Sequence, residues 1–370
     1  MKKTLALILA IVMALCVLTG CGGTSAPATN APADNTGSAG NAPAAPAPDG
    51  KTYTLSFTIH DPATSAKTAL YQEKADLVAA ETNGAVNITI YPSGTLCAAP
   101  DVAEGILAGT ADMGWLFTPF TTGQFPLTEV VMLPMLFNDL YANSMPIRDL
   151  YQETPALQAE LSNYKVLNIY SMPINQLYST TPIHTAQDLQ GLNIRTSSNT
   201  GTTLIGGWGA SVMSYGPGDI YEAMNKNAID AFTFEYSGVK SFKLYEVVKY
   251  TLEMPLFGGT FITAMNLDSW NALPAEYQEV VEKHFGWNLT EEFARLYEQD
   301  CIAGKQLCEE NGVELIVPTE AEQATFQIAA DEFAAAWVAQ NTTADFDAQA
   351  YLDRAIELYN QYLPDSGMAK

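Results

Sequence analysis

The chain has 370 residues, with 17 Lys+Arg against 41 Asp+Glu, for a formal charge of −24. It is 48% hydrophobic and only 16% charged, which excludes disorder for most of its length, and so acidic a chain repels the phosphates of nucleic acid. The length accommodates two domains with sizeable cores.

In chain order the first element is an export signal over residues 1–20. Lys2 and Lys3 precede the apolar run Thr4–Leu18, and small residues lead to Cys21. About 15 apolar residues are too few for the ~20 of a spanning helix. Leu18-Thr19-Gly20-Cys21 resembles a bacterial lipobox, in which the cysteine is lipidated. Cys21 is therefore the expected lipidation site, and the expected location is extracytoplasmic, lipid-anchored to the cell membrane. The rest of residues 21–50 is Ala, Pro, Gly, Ser, Thr and Asn with Asp34 and Asp49, a flexible linker without apolar periodicity.

From Lys51 onward strand and helix patterns alternate. Tyr53–Ile59 is strand-like; Thr64–Thr82 is helical, with Asn83-Gly84 as its stop. Val86–Ile90 alternates as a half-buried strand does and is broken by Tyr91-Pro92-Ser93-Gly94. A short helix over Ala99–Gly109 and a strand over Asp112–Leu116 follow. Val166–Tyr170, Leu192–Thr196, Ser211–Tyr215 and Ile229–Phe234 are further strands, with helices between them. This order predicts βαβ units and mostly parallel sheet. Ala275–Asn311 predicts one helix of ~50 Å, long enough to brace two lobes. Thr319–Gln340, opening on Thr319 and Glu322 at capping-box spacing, and Asp345–Leu363 are C-terminal helices.

Enzyme motifs are absent: no G-x-S-x-G, H-E-x-x-H, P-loop or G-x-G-x-x-G occurs. Gly206-Gly207-Trp208-Gly209 reads as a helix end and turn. His60, His184 and His284 lie far apart and near no cysteine cluster, so no zinc pattern is present and no motif requires a metal or cofactor. Cys301 and Cys308 on one helix stand ~10.5 Å apart, beyond bridging range. Cys97 can join either only through the fold, and buried free thiol is the expectation for all three.

Arg195 is the only cation between Lys165 and Lys226. It ends the strand-like Leu192–Thr196 beside the polar loop Ser197–Gly201. In open α/β sheets ligands collect at the carboxyl ends of strands, and a guanidinium fork there suits a carboxylate. A structural salt bridge is the other reading of the same residue.

A series of blocks in order resembles the solute-binding proteins of TRAP (tripartite ATP-independent periplasmic) transporters. Glu81-Thr82-Asn83-Gly84 through Tyr91-Pro92-Ser93-Gly94 comes first, then Gly109-Thr110-Ala111-Asp112-Met113 and Leu133-Pro134-Met135-Leu136-Phe137. The strongest block runs from Pro182-Ile183 through Asp188-Leu189-Gln190-Gly191-Leu192-Asn193-Ile194-Arg195-Thr196, and Ile229-Asp230-Ala231 and Lys243-Leu244-Tyr245-Glu246-Val247 follow. The resemblance implies a non-enzymatic two-lobed α/β receptor of the periplasmic-binding-protein type, each lobe a mostly parallel sheet flanked by helices. It would close on a small organic acid and deliver it to the subunits of a membrane permease. An ABC-type receptor lipoprotein, or a membrane-tethered enzyme acting on a small acid, are the alternatives.

The resemblance places the family's carboxylate-binding arginine on Arg195. Two positions depart from members that bind sialic acid: Asn175 where they carry a second arginine, and Phe234 where they carry asparagine. Asn175 is left as a neutral donor to a hydroxyl or keto oxygen. Phe232, Phe234 and Tyr236 alternate along a strand, and Trp115, Phe117, Phe120 and Trp208 add aromatic area. The expected wall around a monocarboxylate is thus Trp115, Phe117, His60, Phe234, Tyr236 and Trp208. The expected lobes are residues 51–172 with 261–300, and 173–260 with 301–370.

Overall fold

The computed structural model describes residues 50–366 apart from 122 and 173; the export signal, Cys21 and the linker up to residue 49 lie outside the described residues. β1 (Tyr53–Thr58) and β2 (Val86–Tyr91) pair in parallel across the helix Ala66–Glu81. That helix starts where the Ser65 hydroxyl accepts from the Thr68 amide. It stops because Asn83 and Gly84 both take positive φ, 55° and 77°, which ends a helix with little strain only at Gly or Asn. β3 (Met113–Phe117) pairs parallel to β1, and β4 (Tyr164–Met172) lies at the far edge of the same sheet.

The chain then crosses to a second sheet of β5 (Gln176–Ser179), β6 (Asn193–Arg195), β7 (Ser211–Met213), β8 (Ala231–Phe234) and β9 (Tyr250–Leu252). It returns to the first sheet as β10 (Gly259–Asn266) and re-enters the second as β11 (Glu314–Ile316). The strand orders are β2-β1-β3-β10-β4 and β11-β9-β5-β8-β6-β7. Every parallel pairing joins strands that belong to crossover units. All four antiparallel pairings involve β5 or β10, so both sheets are mixed, and the expected parallel character holds for β1 with β2 and β3, for β6 with β7 and β8, and for β9 with β11. Each sheet is covered on both faces. β10 gives Ile262 and Ala264 to one apolar cluster and Phe261 and Met265 to another, while Leu177 and Tyr178 of β5 face opposite clusters of the second sheet.

The long helix expected over Ala275–Asn311 is two helices, Ala275–Phe285 and Asn288–Glu310. The break falls at Gly286, which turns extended (ψ −154°), and a Cβ there would sit 2.1 Å from the Glu282 carbonyl oxygen. The second helix, at 23 residues, is ~34 Å long rather than ~50 Å. Gly286→Ala is expected to destabilise the fold by about 1–3 kcal/mol, as overpacking does. A lowered denaturant midpoint at unchanged slope would show it; a midpoint equal to wild type would refute the steric account.

Residues 301–370 do not all pack with the second sheet. The helix Glu320–Asn341 sends Phe326 into the core of the second sheet and Trp337 into that of the first. The helix Ala348–Tyr362 packs wholly in the first, where Tyr351, Leu352 and Leu358 meet Leu127 and Leu150. Cys97 lies in a different core from Cys301 and Cys308, and all three are buried free thiols. No helix among the described residues is long and apolar enough to cross a membrane.

Candidate ligand-binding site

β1 and β3 of the first sheet, and β6 and β8 of the second, end at one cavity. His60 and Asp61 follow β1, Phe117 closes β3, Arg195 closes β6, and Phe234 and Glu235 stand at the end of β8. This is where an α/β sheet places ligands, because the side chains and loops at strand ends are free of the ladder. Phe261 of β10, Met172 of β4 and Tyr297 of the Asn288–Glu310 helix complete the wall.

The apolar side is a stack. Trp115 lies 4.0 Å from Phe261 at 9° and 4.6 Å from the His60 ring at 19°. Phe117 packs on Phe261 at 4.5 Å and meets Phe120 edge-on at 5.1 Å. Trp115 donates its indole N–H to the Tyr170 hydroxyl at 2.5 Å, so its polar atom is satisfied away from the cavity. On the other side the Arg195 guanidinium sits 5.3 Å over the ring of Phe234. That ring has room only because residue 238 is glycine: a Cβ there would lie 2.1 Å from Phe234 Cε1.

Arg195 is fully buried. Its Nε donates to the Tyr215 carbonyl at 3.0 Å and Nη1 to that of Thr233 at 3.2 Å, while Nη2 has no partner. The other three arginines each meet a carboxylate: Arg148 with Asp149, Arg295 with Glu298, Arg354 with Glu153. Among the described residues Arg195 has none. Burial lowers its pKa to about 9, with Glu235 pulling the other way, so it remains a cation at neutral pH.

A second charged group lies beside it. Lys67, 1% exposed, stands 3.2 Å from Asp61 and 4.0 Å from Asp300, and donates to the Ser237 hydroxyl at 3.2 Å. Burial alone would lower its pKa, but Asp61, Glu235 and Asp300 raise it above the ordinary value, so it stays charged. Glu235 caps the Tyr236–Ser241 helix, accepting from the Gly238 amide at 2.5 Å and the Ser237 hydroxyl at 3.0 Å. Burial pushes its pKa up to about 7 against the pull of Lys67. His60 is the opposite case: burial lowers its imidazole to about 4, so it is neutral.

Of the residues expected from the sequence, His60, Trp115, Phe117, Arg195 and Phe234 meet at this cavity. Three do not line it. Asn175 ties the two chain crossings together: its backbone amide and side-chain amide both donate to the Phe257 carbonyl, at 2.9 and 3.0 Å. Tyr236 falls outside because β8 ends at Phe234; it begins a helix and donates its hydroxyl to Glu253. Trp208 caps the Asn199–Gly207 helix and packs edge-on against Phe326 at 5.1 Å, in the core of the second sheet. Asp61, Glu235, Lys67, Phe261 and Tyr297 were not anticipated. Glu235 carried no local signal, since glutamate is not among the residues that favour the N-cap position it occupies.

The family model for bacterial extracellular solute-binding proteins, family 7, matches residues 58–341. The monocarboxylate 2-oxoacid-binding periplasmic protein of Nostoc sp. is 28% identical over 218 residues, 56% of this chain and 58% of that protein. The 2,3-diketo-L-gulonate-binding periplasmic protein of Escherichia coli is 23% identical over 208 residues, 56% of this chain and 63% of that one. The chain thus spans less than two thirds of either relative. A TRAP solute-binding protein of Rhodoferax ferrireducens, solved with copurified benzoate, superposes with a TM-score of 0.77 at 24% identity, covering 85% of this chain and 99% of that chain. One from Bordetella bronchiseptica with bound (R)- and (S)-mandelate gives 0.76 at 21%, covering 83% and 99%. Both share the fold. Since the family match takes in every residue of the cavity from His60 to Tyr297, the chain belongs to family 7 of the bacterial extracellular solute-binding proteins, the solute receptors of TRAP transporters.

Proposed function

We propose that this protein is an extracytoplasmic receptor that closes on a small organic monocarboxylate and delivers it to the membrane subunits of a TRAP permease. The observation that carries this reading is Arg195, a buried cation with a free Nη2 and no carboxylate partner at an aromatic cavity. A buried unpaired charge is costly, and an incoming carboxylate supplies the missing partner at the free Nη2. The aromatic stack takes the apolar body of the ligand, and the acidic Asp61 and Glu235 disfavour a second carboxylate. The names of relatives that bind 2-oxoacids, benzoate and mandelate agree with this class.

The two sheets serve as lobes: residues 51–172 and 261–300 carry the first, 173–260 the second, and the C-terminal helices are shared. Closure removes the ion pair from water, and the ligand drives it by binding the closed form better than the open one. Lipidation at Cys21 and the linker would hold the receptor at the membrane within reach of the permease.

A thermal-shift screen tests the ligand class. Benzoate, mandelate, lactate and pyruvate are compared with their dicarboxylate and amide counterparts. Saturation at 100 times Kd should stabilise by about 2.7 kcal/mol. If the amides shift the melt as much as the acids, or none of the acids does, the carboxylate reading fails.

A further inference from the structure

A second cavity shares no residue with the Arg195 site. It holds about 330 Å³, within the ~300–1,000 Å³ of small-molecule pockets. Three elements build it. The Asn199–Gly207 helix, beside the second sheet, gives Asn199, Thr203 and Leu204, and the Pro126–Met132 segment in the core of the first gives Glu129. The Glu320–Asn341 helix, which enters both cores, closes it with Glu332, Phe333 and Trp337.

The charge in this cavity is one-sided. Glu129 and Glu332 line it, and no lysine or arginine does. Among the described residues Glu129 has neither a hydrogen bond nor an ion pair, and burial alone pushes its carboxyl up to about 7. Glu160 lies within reach of its charge. One oxygen of Glu160 accepts from the Leu127 amide at 2.9 Å, while the other, Oε1, is buried without a partner. Neither carboxyl has a cation beside it, and a carboxylate taken from water without one carries a desolvation penalty.

The wall narrows what can answer these groups. An anion would meet like charges, and a neutral molecule would leave Glu129 without a counter-charge. A calcium or magnesium ion needs about six oxygen ligands, but Leu204, Ala329, Phe333, Ala336 and Trp337 make much of the wall apolar. Among the described residues no three His, Cys, Asp or Glu stand together to hold a metal. An organic ammonium suits both halves. Its N–H groups can donate to the Glu129 carboxylate, the Thr203 hydroxyl and the side-chain oxygen of Asn199. Its carbon body removes apolar surface from water, and its charge is favoured near aromatic rings.

We propose that this cavity is a second binding site, for a small organic ammonium ion with an apolar body. The charge pairs with Glu129, and the body packs on Leu204, Phe333 and Trp337. The site goes beyond the carboxylate reading and does not depend on it.

Calorimetric titration of the full chain at about pH 8, where Glu129 is mostly ionised, tests this. The probes are 2-phenylethylammonium and butylammonium, the neutral 2-phenylethanol and butanol, and sodium chloride. At least one ammonium is expected to bind, at least about tenfold more tightly than its alcohol. Glu129→Gln should weaken it about tenfold or more, because a charge-assisted bond becomes a neutral one. Ala336→Leu, at an exposed helical position, should weaken it by narrowing the cavity. Arg195→Ala should bind the ammonium as the wild type does, and Glu129→Gln should keep wild-type affinity for the carboxylate ligand. No ammonium binding, alcohols or sodium binding as tightly, or an affinity unchanged in Glu129→Gln would overturn the proposal. So would ammonium binding lost in Arg195→Ala, which would place it at the other cavity. Each of these results leaves the carboxylate reading standing, since that reading is tested by its own acids.

Discussion

Arg195→Ala is expected to remove measurable binding of the carboxylate ligand. Truncating one partner of a buried, hydrogen-bonded ion pair costs about 2–5 kcal/mol, roughly 30- to 5,000-fold in affinity. The substitution also takes away the cation facing Phe234 and leaves the ligand carboxylate in an aromatic cavity with Asp61 and Glu235 nearby. Arg195→Lys should be weakened nearly as much. Nε and Nη1 are already committed to the Tyr215 and Thr233 carbonyls, and an ammonium has no planar fork with which to hold both and still reach the ligand. Without ligand the melting temperature of Arg195→Ala should move little, because losing an unpaired buried charge offsets the two carbonyl hydrogen bonds lost with it. Calorimetry checks the first expectation and a thermal melt the second. Near-wild-type affinity in Arg195→Ala would end the assignment.

The second large effect is on stability as a function of pH. Burial pushes Glu235, Glu129 and Glu160 from an ordinary value of 4.5 to about 7. Glu160 is further raised by the like charge of Glu129, although the Leu127 amide donates to it at 2.9 Å. A carboxyl group whose pKa is higher in the folded state favours folding when protonated. Its contribution is complete below about 4.5 and is lost as the pH rises through about 7. His60 works in the opposite sense: lowered from 6.5 to about 4, it contributes fully above 6.5 and loses that contribution as the pH falls towards 4. Between pH 5 and 7 three groups therefore oppose one, each on the order of 1–3 kcal/mol. The melting temperature is expected to rise as the pH is lowered from 8 to 5.5, and Glu129→Gln with Glu160→Gln should flatten the slope. A melting temperature that falls steadily over that interval in the wild type would contradict the account.

What could be read along the chain follows from which interactions are local. The Asn83-Gly84 stop and the Thr319–Glu322 capping box formed as expected because both are set by neighbouring residues. The seven strands anticipated from their pattern, β1 to β4 and β6 to β8, are all present. Those not anticipated were β5, β9, β10 and β11. Three of these have only three or four residues, too few for a period to show by itself; β6, β7 and β8 are as short, but lie within the longer patterns Leu192–Thr196, Ser211–Tyr215 and Ile229–Phe234. β10 is buried on both faces for nearly its whole length, so it has no alternation to read. β5 and β10 are also the strands that make every antiparallel pairing, which explains why the sheets were expected to be more parallel than they are.

The site divides the same way. Arg195 stood out because cations are scarce around it and it ends a strand beside a polar loop, both visible in the sequence. The Phe232-Phe234-Tyr236 alternation misled, because the strand turns into a helix after Phe234 and Tyr236 is carried to Glu253. Asp61 is one of 41 acids, and nothing in its neighbours marks it as different from the rest.

By itself the sequence determined that the chain folds in alternating strands and helices, where most of those elements begin and end, and that a lone arginine closes a strand. Caps, periodicity and charge scarcity act between residues close in the chain, so they are visible there. The tertiary structure alone decided that the other three arginines meet carboxylates while Arg195 does not. It also decided that the buried Lys67 pairs with Asp61, and that His60 is held neutral between aromatic rings. Which buried polar atoms go unpaired depends on contacts between distant segments, and those atoms define what the cavity is built to hold.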